Sequence, residues 1–379
     1  MMNSPYGKRG STFILLLGLG LMMFLWRGDA ASAAGDSAAT IQDYEKKLGA
    51  AMLRKPAAYS IVYTGGTLTM DQLESILQRI HNANDYLHYS TRQYRYAAST
   101  DGRKTTVGYT FEYWETQAQS NQVSLKVKEV LGKIITRNMN DFQKEKAIHD
   151  WIESNLSYDT TLRQYSAYAG LFGNKKTVCQ GYALLAFKML SQAGIENKII
   201  EGNAGGQLHT WNLVKLDGKW YHLDTTWNDP VPDKPGRIMY DYYNLTDAQM
   251  KASHTWNKSA SYPAAVTLFE TTLEAKRKSD AGNAAFYQNL KKTLGLHYME
   301  AAHTAVNAAD LSGFIANAIK ANQNSFTIRY PNKRTLAADI KKAFNGTNNI
   351  SRYSYSYSDY TRSPSSADVL VTVTLTRRK

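Results

Sequence analysis

The sequence of 379 residues contains only one cysteine, Cys179. A single thiol cannot form an internal disulfide, and in an oxidising compartment it is open to oxidation and to pairing with another molecule. That cost predicts that Cys179 has a chemical use. The alternative is a buried cysteine that serves as a small apolar filler. The residues around Cys179 distinguish a reactive thiol from such a filler.

Membrane spans and cofactor motifs are missing as well. The apolar run from Phe13 to Trp26 has 14 residues, whereas a membrane-spanning helix needs roughly 20. The sequence has no cluster with metal-ligand spacing, no phosphate-cradling glycine loop and no calcium-loop pattern, so we predict no metal and no cofactor. Its basic clusters lack the interleaved spacing of a nucleic-acid module, so we predict no nucleic-acid partner.

The composition is that of a chain that folds around hydrophobic cores, with 43% hydrophobic and 20% charged residues. The length predicts two or three domains. Lysine and arginine number 45 against 32 aspartate and glutamate, a net charge of +13. This excess suits anionic partners such as cell-wall polymers, although a solvated basic surface would have the same composition.

The N-terminus predicts export. Lys8 and Arg9 precede the apolar run and the small-residue stretch "DAASAAGDS" follows it, which is the pattern of a secretory signal peptide. We predict a signal peptide over residues 1–33, cleavage after Ala33 and a secreted or cell-envelope location; an uncleaved anchor is the alternative. Because Cys179 lies far downstream, no lipid-modified cysteine can follow this signal.

Cys179 lies at the start of a predicted helix. Apolar side chains recur after it at helical spacing, at Ala183, Ala186, Phe187 and Leu190. Gly194 stands where such a helix would end. In the first turn the positive end of the helix dipole favours the thiolate, and Lys175 and Lys176 add to the effect. This is the position that a catalytic thiol requires.

Two strand-like runs follow, "HTWNLVKL" and "KWYHLDTTW", joined by Asp217-Gly218. This dipeptide predicts a two-residue β-hairpin turn in which Leu216 pairs with Lys219. A three-residue loop would instead move the side chains of the second run to the other face of the sheet. We therefore predict the two-residue register.

In that register Trp211 faces Asp224, and His209 lies one diagonal step away on the same face, at roughly 7 Å. We predict that Asp224 accepts a hydrogen bond from Nδ1 of His209 while the other ring nitrogen faces Cys179. The thiolate would attack a carbonyl, His209 would take up and return the proton, and Asp224 would orient the imidazolium. The alternative for His209 is a satisfied structural histidine. The rival base, His222, lies on the same predicted face without a carboxylate at a comparable offset, so we predict that it packs within the sheet.

Three segments of the chain resemble a known family. They are "VCQGYALLAFKML", "HTWNLVKLDGKWYHLDTTWNDP" and "YDYYNLTDAQMKASHTW". In order and spacing they resemble the transglutaminase-like superfamily of papain-like thiol enzymes, in its bacterial exported branch, from about residue 123 to 256. The resemblance implies that Cys179, His209 and Asp224 form a catalytic triad. It also implies supports for the walls of the site, at Trp211, Asn212, Trp220 and Trp227.

The other polar residues of this region are predicted to lie outside the triad. His149 and Asp150 fall off the apolar stripe of "DFQKEKAIHDWIESNLSYD", so we predict that they are solvated. We predict that His254 is a structural cap on the domain rather than a ligand. In the Gly- and Tyr-rich approach to the thiol, the candidates for holding an oxyanion are Tyr165, Tyr168 and a nearby backbone amide.

The flanks of this region contain an internal repeat. Residues 60–115 and 325–377 each predict strand, helix, strand, strand, and a helical segment precedes each copy. Two small αβαββ modules therefore bracket the core, and their alternating tyrosines are either ordinary sheet residues or a binding face. The predicted boundaries are 1–33 for the signal peptide, 34–120 for the N-terminal module, 121–262 for the core, 263–310 for a helical connector and 311–379 for the C-terminal module.

The sequence thus predicts an α+β protein with a papain-like/transglutaminase-like core, in which a nucleophile helix packs on an antiparallel sheet. We expect an exported enzyme that acts on a protein or peptide substrate, by acyl transfer or hydrolysis at a carboxamide or peptide bond through an acyl-cysteine intermediate. The superfamily includes cross-linking acyltransferases, peptidases, amidases and members without catalysis, so the resemblance does not fix the reaction. Two further hypotheses stay open: a non-catalytic binding module that uses the same cleft, and a scaffold built on the flanking repeats.

Overall fold

The computed structural model describes residues 35–229, 231–234, 236–257, 262–345, 347, 349–363, 365 and 367–378. The predicted signal peptide, residues 1–33, lies outside them. Within these ranges no helix combines the length and apolarity that crossing a bilayer requires. The contacts divide the chain into two compact units, one up to Gln117 and one from Ala118 onward. Both units mix helices with mainly antiparallel sheets, so the protein is α+β, as predicted.

The first unit is a four-stranded sheet with helices. Its elements are β1 (Asp36–Ala38), α1 (Ile41–Leu53), β2 (Ala58–Tyr63), α2 (Met70–Asn82), α3 (Asp85–Ser90), β3 (Thr91–Thr100) and β4 (Thr105–Tyr113). The strand order is β1-β2-β4-β3, with β4 antiparallel to both neighbours. The side chains of Thr40 and Thr69 cap α1 and α2, so local sequence fixes where these helices begin. Their apolar faces pack on the sheet around Leu48, Leu73 and Val107.

The second unit opens with the core that carries the predicted site. Its helices are α4 (Gln117–Ile134), α5 (Asp141–Asn155), α6 (Ala167–Leu171), α7 (Cys179–Gln192), α8 (Thr225–Asn228) and α9 (Asp247–Met250). Its strands are β5 (Ser157–Tyr158), β6 (Lys176–Thr177), β7 (Asn197–Ala204), β8 (Gln207–Leu216), β9 (Lys219–Leu223), β10 (Tyr243–Leu245) and β11 (His254–Trp256). Strands β10-β9-β8-β7-β11, in this order, form an antiparallel sheet, and α7 packs on β7 and β8. The predicted core architecture is confirmed.

The position of α7 is fixed at both ends. Val178 precedes the helix in an extended conformation, and Gly194 has a φ of +82°, which stops the helix as predicted. Near the first turn, Nδ2 of Asn212 on β8 donates to the carbonyl oxygen of Ala183 at 3.1 Å. This bond ties the helix to the sheet and so determines where Cys179 lies.

The β8–β9 hairpin has the predicted register. Leu216 pairs with Lys219 at the start of the antiparallel ladder. Asp217 and Gly218 have φ values of +50° and +73°, the left-handed pair that a two-residue type I′ turn needs. The register prediction is confirmed.

A helical connector follows the core. It contains α10 (Phe269–Ser279), α11 (Ala284–Thr293) and short 3₁₀ turns at Ala281–Asn283, Leu296–Met299 and Ala301–His303. The side chain of Lys291 is only 4% exposed, and its Nζ lies 2.9 Å from Glu270, 2.9 Å from Glu274 and 2.8 Å from Glu300. One buried ammonium therefore forms ion pairs with three carboxylates from separate turns of the connector.

Replacing Lys291 with methionine should destabilise the protein by about 2–3 kcal/mol, somewhat less than for ion pairs buried on both sides, because the glutamates stay partly hydrated. The control is Arg277→Met. Arg277 is 39% exposed and pairs with Glu274 at 3.1 Å, so its loss should cost less than about 1 kcal/mol. Urea unfolding of both variants measures the difference, and equal effects would contradict the role given to Lys291.

The C-terminal module has the same element order as the N-terminal one. It consists of α12 (Ala308–Lys320), β12 (Ser325–Tyr330), α13 (Leu336–Ala343), β13 (Ile350–Asp359) and β14 (Val369–Arg377). Its strand order, β12-β14-β13, matches β2-β4-β3 of the first unit, and in both the middle strand is antiparallel to its neighbours. The first unit adds β1 and α3 to this pattern. The domain boundaries assigned from the sequence stay predictions.

Candidate active site

Cys179 is the first residue of α7 and is partly buried. The first N–H groups of a helix have no partner within the helix, so the thiol lies where backbone donors and the helix dipole favour negative charge. The backbone N–H of Thr210 on β8 also acts to lower the pKa of the Cys179 thiol. The surroundings of the sulfur therefore favour the thiolate.

His209 and Asp224 are joined by a direct hydrogen bond. Nε2 of His209 lies 2.7 Å from Oδ2 of Asp224, and both side chains are buried. The prediction that Nδ1 makes this bond is wrong. With Nε2 on the carboxylate, Nδ1 is the ring nitrogen left for the sulfur of Cys179, which hydrogen-bonds His209. Strand register brings the two residues together, but the side-chain torsions decide which nitrogen faces which partner.

The three groups shift each other's pKa values. Burial disfavours the thiolate, but the hydrogen bond and charge of His209 outweigh it and hold the pKa of Cys179 below that of an ordinary thiol. Burial also disfavours the imidazolium, yet Asp224 and the thiolate raise the pKa of His209 to about 10. Burial opposes ionisation of Asp224, but hydrogen bonds and charge from His209 and His254 hold its pKa well below the usual range. The site therefore favours a thiolate–imidazolium pair beside an ionised carboxylate.

Asp224 accepts four hydrogen bonds. It caps α8, where Oδ1 accepts the N–H groups of Thr226 at 2.9 Å and Trp227 at 3.1 Å. Oδ2 accepts from His209 and also from Nε2 of His254 at 3.0 Å. The prediction of a structural cap for His254 misses this contact. The one sequence signal for His254 was its place in the third segment that resembles the family. No turn or spacing near His254 indicates that β11 brings this residue to Asp224.

Of the two tyrosines proposed for an oxyanion, Tyr165 is the one whose pKa responds to Cys179. Burial raises the pKa of Tyr165, and the charge of a Cys179 thiolate raises it further. A phenol that stays protonated keeps the O–H group that holding an oxyanion would need. Tyr168 on α6 instead stacks on Phe172, with 4.7 Å between ring centroids.

Two of the four predicted wall residues lie against the histidines. The Trp211 ring stacks on His209 with centroids 5.6 Å apart, and Trp227 lies 6.2 Å from His209 by the same measure. Asn212 bonds α7, and Trp220 packs beside Lys215 at 5.6 Å from its Nζ. These last two residues support the sheet rather than the wall of the site.

His222 packs within the sheet, as predicted, and its carboxylate partner comes from α9 rather than from a comparable offset in the hairpin. Its Nε2 lies 2.9 Å from Oδ1 of Asp247 on α9, and its Nδ1 accepts the indole N–H of Trp211 at 2.9 Å. Because both ring nitrogens are occupied, His222 is not placed to deprotonate Cys179.

His149 is not solvated, contrary to the prediction. It is fully buried, with Nδ1 3.1 Å from Asp150 and Nε2 3.0 Å from the amide nitrogen of Asn228. Asp150, about a quarter exposed, also accepts the hydroxyl of Tyr240 at 2.8 Å. The polar side of α5 is covered because α5 packs on both α7 and α8. The sequence pattern of α5 shows one apolar stripe and gives no sign of a second partner.

Within the described ranges, His209, Asp224 and His254 are also the group whose donor atoms lie close enough to hold a metal ion, within 4.8 Å of one another. Both imidazoles already place Nε2 on Oδ2 of Asp224 at hydrogen-bond distance. These contacts are accounted for by hydrogen bonds, and the chemistry proposed below uses no metal.

Residues 128–225 match the family model of the transglutaminase-like superfamily. They form a transglutaminase-like domain. The match covers about a quarter of the chain and includes Cys179, His209 and Asp224 but ends before His254. The predicted family is confirmed for this part of the chain.

The transglutaminase-like domain has curated relatives in animals. The kyphoscoliosis peptidase of Mus musculus is 27% identical over 152 residues, 34% of this chain and 23% of that protein. The kyphoscoliosis peptidase of Homo sapiens is 27% identical over 150 residues, again 34% and 23%. A Lim and transglutaminase domain protein of Caenorhabditis elegans is 20% identical over 268 residues, 53% of this chain and 36% of that protein. The matches thus span only about a quarter to a third of these relatives.

Solved structures with some similarity include a proposed cysteine protease from Cytophaga hutchinsonii, at 17% identity and a TM-score of 0.25, covering 38% of this chain and 68% of that one. Another is a TGase, at 15% identity and a TM-score of 0.27, covering 54% and 62%. Overall superposition is poor at these scores.

Proposed function

We propose that the protein is an exported thiol enzyme that transfers an acyl group from a carboxamide or peptide bond, to water or to an amine, through an acyl-cysteine intermediate. The observation that carries the proposal is the continuous line of contacts from the Cys179 sulfur through His209 to Asp224. This order of nucleophile, base and orienting carboxylate is what acyl transfer by a thiol needs. The names of the relatives, a peptidase and a transglutaminase domain protein, support the same class.

The reaction has two halves. In the first, the thiolate attacks the carbonyl carbon, and the proton on Nδ1 of His209 passes to the leaving nitrogen as the C–N bond breaks. An amine departs and a thioester stays on Cys179. In the second, His209 takes a proton from water or an amine as that molecule attacks the thioester, and the thiolate leaves. The starting ion pair is restored, so no cofactor enters.

The opposed pKa shifts set the pH range of this chemistry. The lowered pKa of Cys179 keeps the thiolate at pH values where a free thiol is protonated, and the raised pKa of His209 keeps the imidazolium up to about pH 10. The acid limb of activity is therefore expected where the thiolate takes up a proton, and the alkaline limb where the imidazolium loses its own.

We further propose a protein or peptide substrate in the cell envelope, with anionic wall polymers as partners. The N-terminal pattern supports export. Residues 311–379 contain eleven lysines and arginines against three aspartates and glutamates, so much of the positive charge is concentrated in the C-terminal module. A basic module of this kind would hold the enzyme near an anionic polymer by screened electrostatic attraction.

The proposal is tested by incubating the secreted protein with a bacterial cell-envelope extract and a tagged primary amine. Incorporation of the tag into extract proteins identifies amine transfer, and new peptide termini or released ammonia identify hydrolysis. Both must disappear in a matched incubation with Cys179→Ser. Absence of both signals, together with a thiol that reacts no faster than a free one, would favour a binding module or a scaffold.

A further inference from the structure

His254 reaches Asp224 across the sheet. It lies on β11, opposite Ala204 of β7, whereas Asp224 follows β9. The β7 residue opposite His209 is Gly202, where an added Cβ would collide with the Thr255 carbonyl and press on the Trp211 ring. The absence of a side chain at Gly202 therefore lets Thr255, the neighbour of His254, pack closely on β7, and the His209 and His254 ring centroids are 5.4 Å apart.

The hydrogen bonds around His254 define its tautomer. Its Nε2 lies 3.0 Å from Oδ2 of Asp224, and its Nδ1 lies 2.8 Å from the hydroxyl oxygen of Ser253. The carboxylate can only accept, so Nε2 carries the proton and Nδ1 accepts from Ser253. Burial lowers the pKa of His254, although Asp224 opposes this effect, so the ring stays neutral. His254 is thus a donor that brings no charge of its own.

We propose that His254 is a positioning residue for the nucleophile: it donates the second hydrogen bond to Oδ2 of Asp224 and holds the carboxylate so that His209 presents Nδ1 to Cys179. This inference rests on the proposed function. Each oxygen of Asp224 then has two donors, which fixes the carboxylate plane against rotation. Without His254, Oδ2 keeps one donor, and the carboxylate and the imidazole can turn together away from the thiol.

The titratable groups around His254 are few and can be separated in a pH experiment. They are Asp224 and His209, which it contacts in the site, Tyr242, whose ring centroid lies 5.3 Å away, and His222, whose charge also acts on it. Burial raises the pKa of Tyr242 to about 12 and lowers that of His222. Tyr242 therefore stays protonated across the acid limb of alkylation, and the lowered pKa of His222 keeps that ring neutral near neutral pH.

The test measures the rate of Cys179 alkylation by iodoacetamide against pH in the full chain, for wild type, His254→Gln and His254→Phe. Alkylation needs only the thiolate, so no substrate has to be known. Phenylalanine fills the space without a donor, and we expect it to move the acid limb upward by about one pH unit and so to slow alkylation on that limb about 10-fold. Glutamine can place its amide N–H where Nε2 was, and we expect it to stay within about 3-fold of wild type.

The outcomes separate the inference from the proposed function. If wild type alkylates no faster than a free thiol, the proposed function fails. If wild type is fast but the phenylalanine variant is equally fast with the same acid limb, or the glutamine variant is as slow as phenylalanine, the positioning role is wrong. Should the phenylalanine variant not fold, Ser253→Ala removes the partner that fixes the tautomer, and we expect it to slow alkylation about 3-fold with unchanged thermal unfolding. An unchanged rate in that variant would also overturn the inference.

Discussion

Replacing Cys179 with alanine should abolish turnover and leave the protein folded. The variant keeps the start of α7 and the His209–Asp224 pair, but it has no atom that can form the acyl intermediate. We expect a loss of about 10⁵- to 10⁶-fold in kcat, as for removal of other nucleophiles that work in a triad. The free energy of unfolding should change by less than about 1 kcal/mol, because only one partly exposed sulfur is removed.

The comparison variant is Cys179→Ser, which has almost the same shape. A serine hydroxyl stays protonated next to His209 where a thiol ionises, so this variant should be nearly as inactive as alanine. Turnover in the tagged-amine assay and urea unfolding are measured on the same preparations. Full turnover by the alanine variant would rule out Cys179 as the nucleophile, and loss of folding in both variants would make it a packing residue.

The hairpin that carries the site was accessible from sequence because its register depends on local chemistry. Asp217 and Gly218 can both adopt positive φ, and a two-residue turn then allows only one pairing, that of Leu216 with Lys219. The period of two along each strand extends that pairing to His209 and Asp224. The helix that begins at Cys179 was accessible for a similar reason, since its apolar spacing and Gly194 mark its course.

The parts that sequence reasoning missed depend on tertiary packing. Which nitrogen of His209 faces Asp224 is set by side-chain torsions inside a buried pocket. His254 comes from β11, which joins the sheet beside β7, and no turn signal or spacing relates that strand to Asp224. His149 looked solvated because the periodicity of α5 reveals one buried stripe, while α8 covers the other side.

Asp224→Asn should leave the shape of the site intact and still disable it. The amide has one acceptor and one donor end, and Oδ1 must keep accepting the N–H groups of Thr226 and Trp227. Its NH₂ then replaces Oδ2 and faces Nε2 of both His209 and His254. Nε2 of His209 can only accept from it, so the ring proton moves to Nδ1, the nitrogen that faces Cys179, and His254 loses its acceptor. His209 becomes a neutral ring that cannot take the thiol proton.

We therefore expect Asp224→Asn to lower kcat about 10⁴-fold, the loss seen when a triad histidine is held in the wrong tautomer. The acid limb of Cys179 alkylation should move up toward the pH of an ordinary thiol, because the negative charge that sustains the imidazolium is gone. The free energy of unfolding should fall by about 3 kcal/mol, because the pair with His209 is buried on both sides, although asparagine caps a helix as well as aspartate does. The control is Asp247→Asn, which alters the same kind of pair, with His222 at 2.9 Å, away from the thiol; it should keep kcat within about 3-fold. Near wild-type turnover by the Asp224 variant, or an equal loss in the Asp247 control, would reduce the triad to a Cys179–His209 pair.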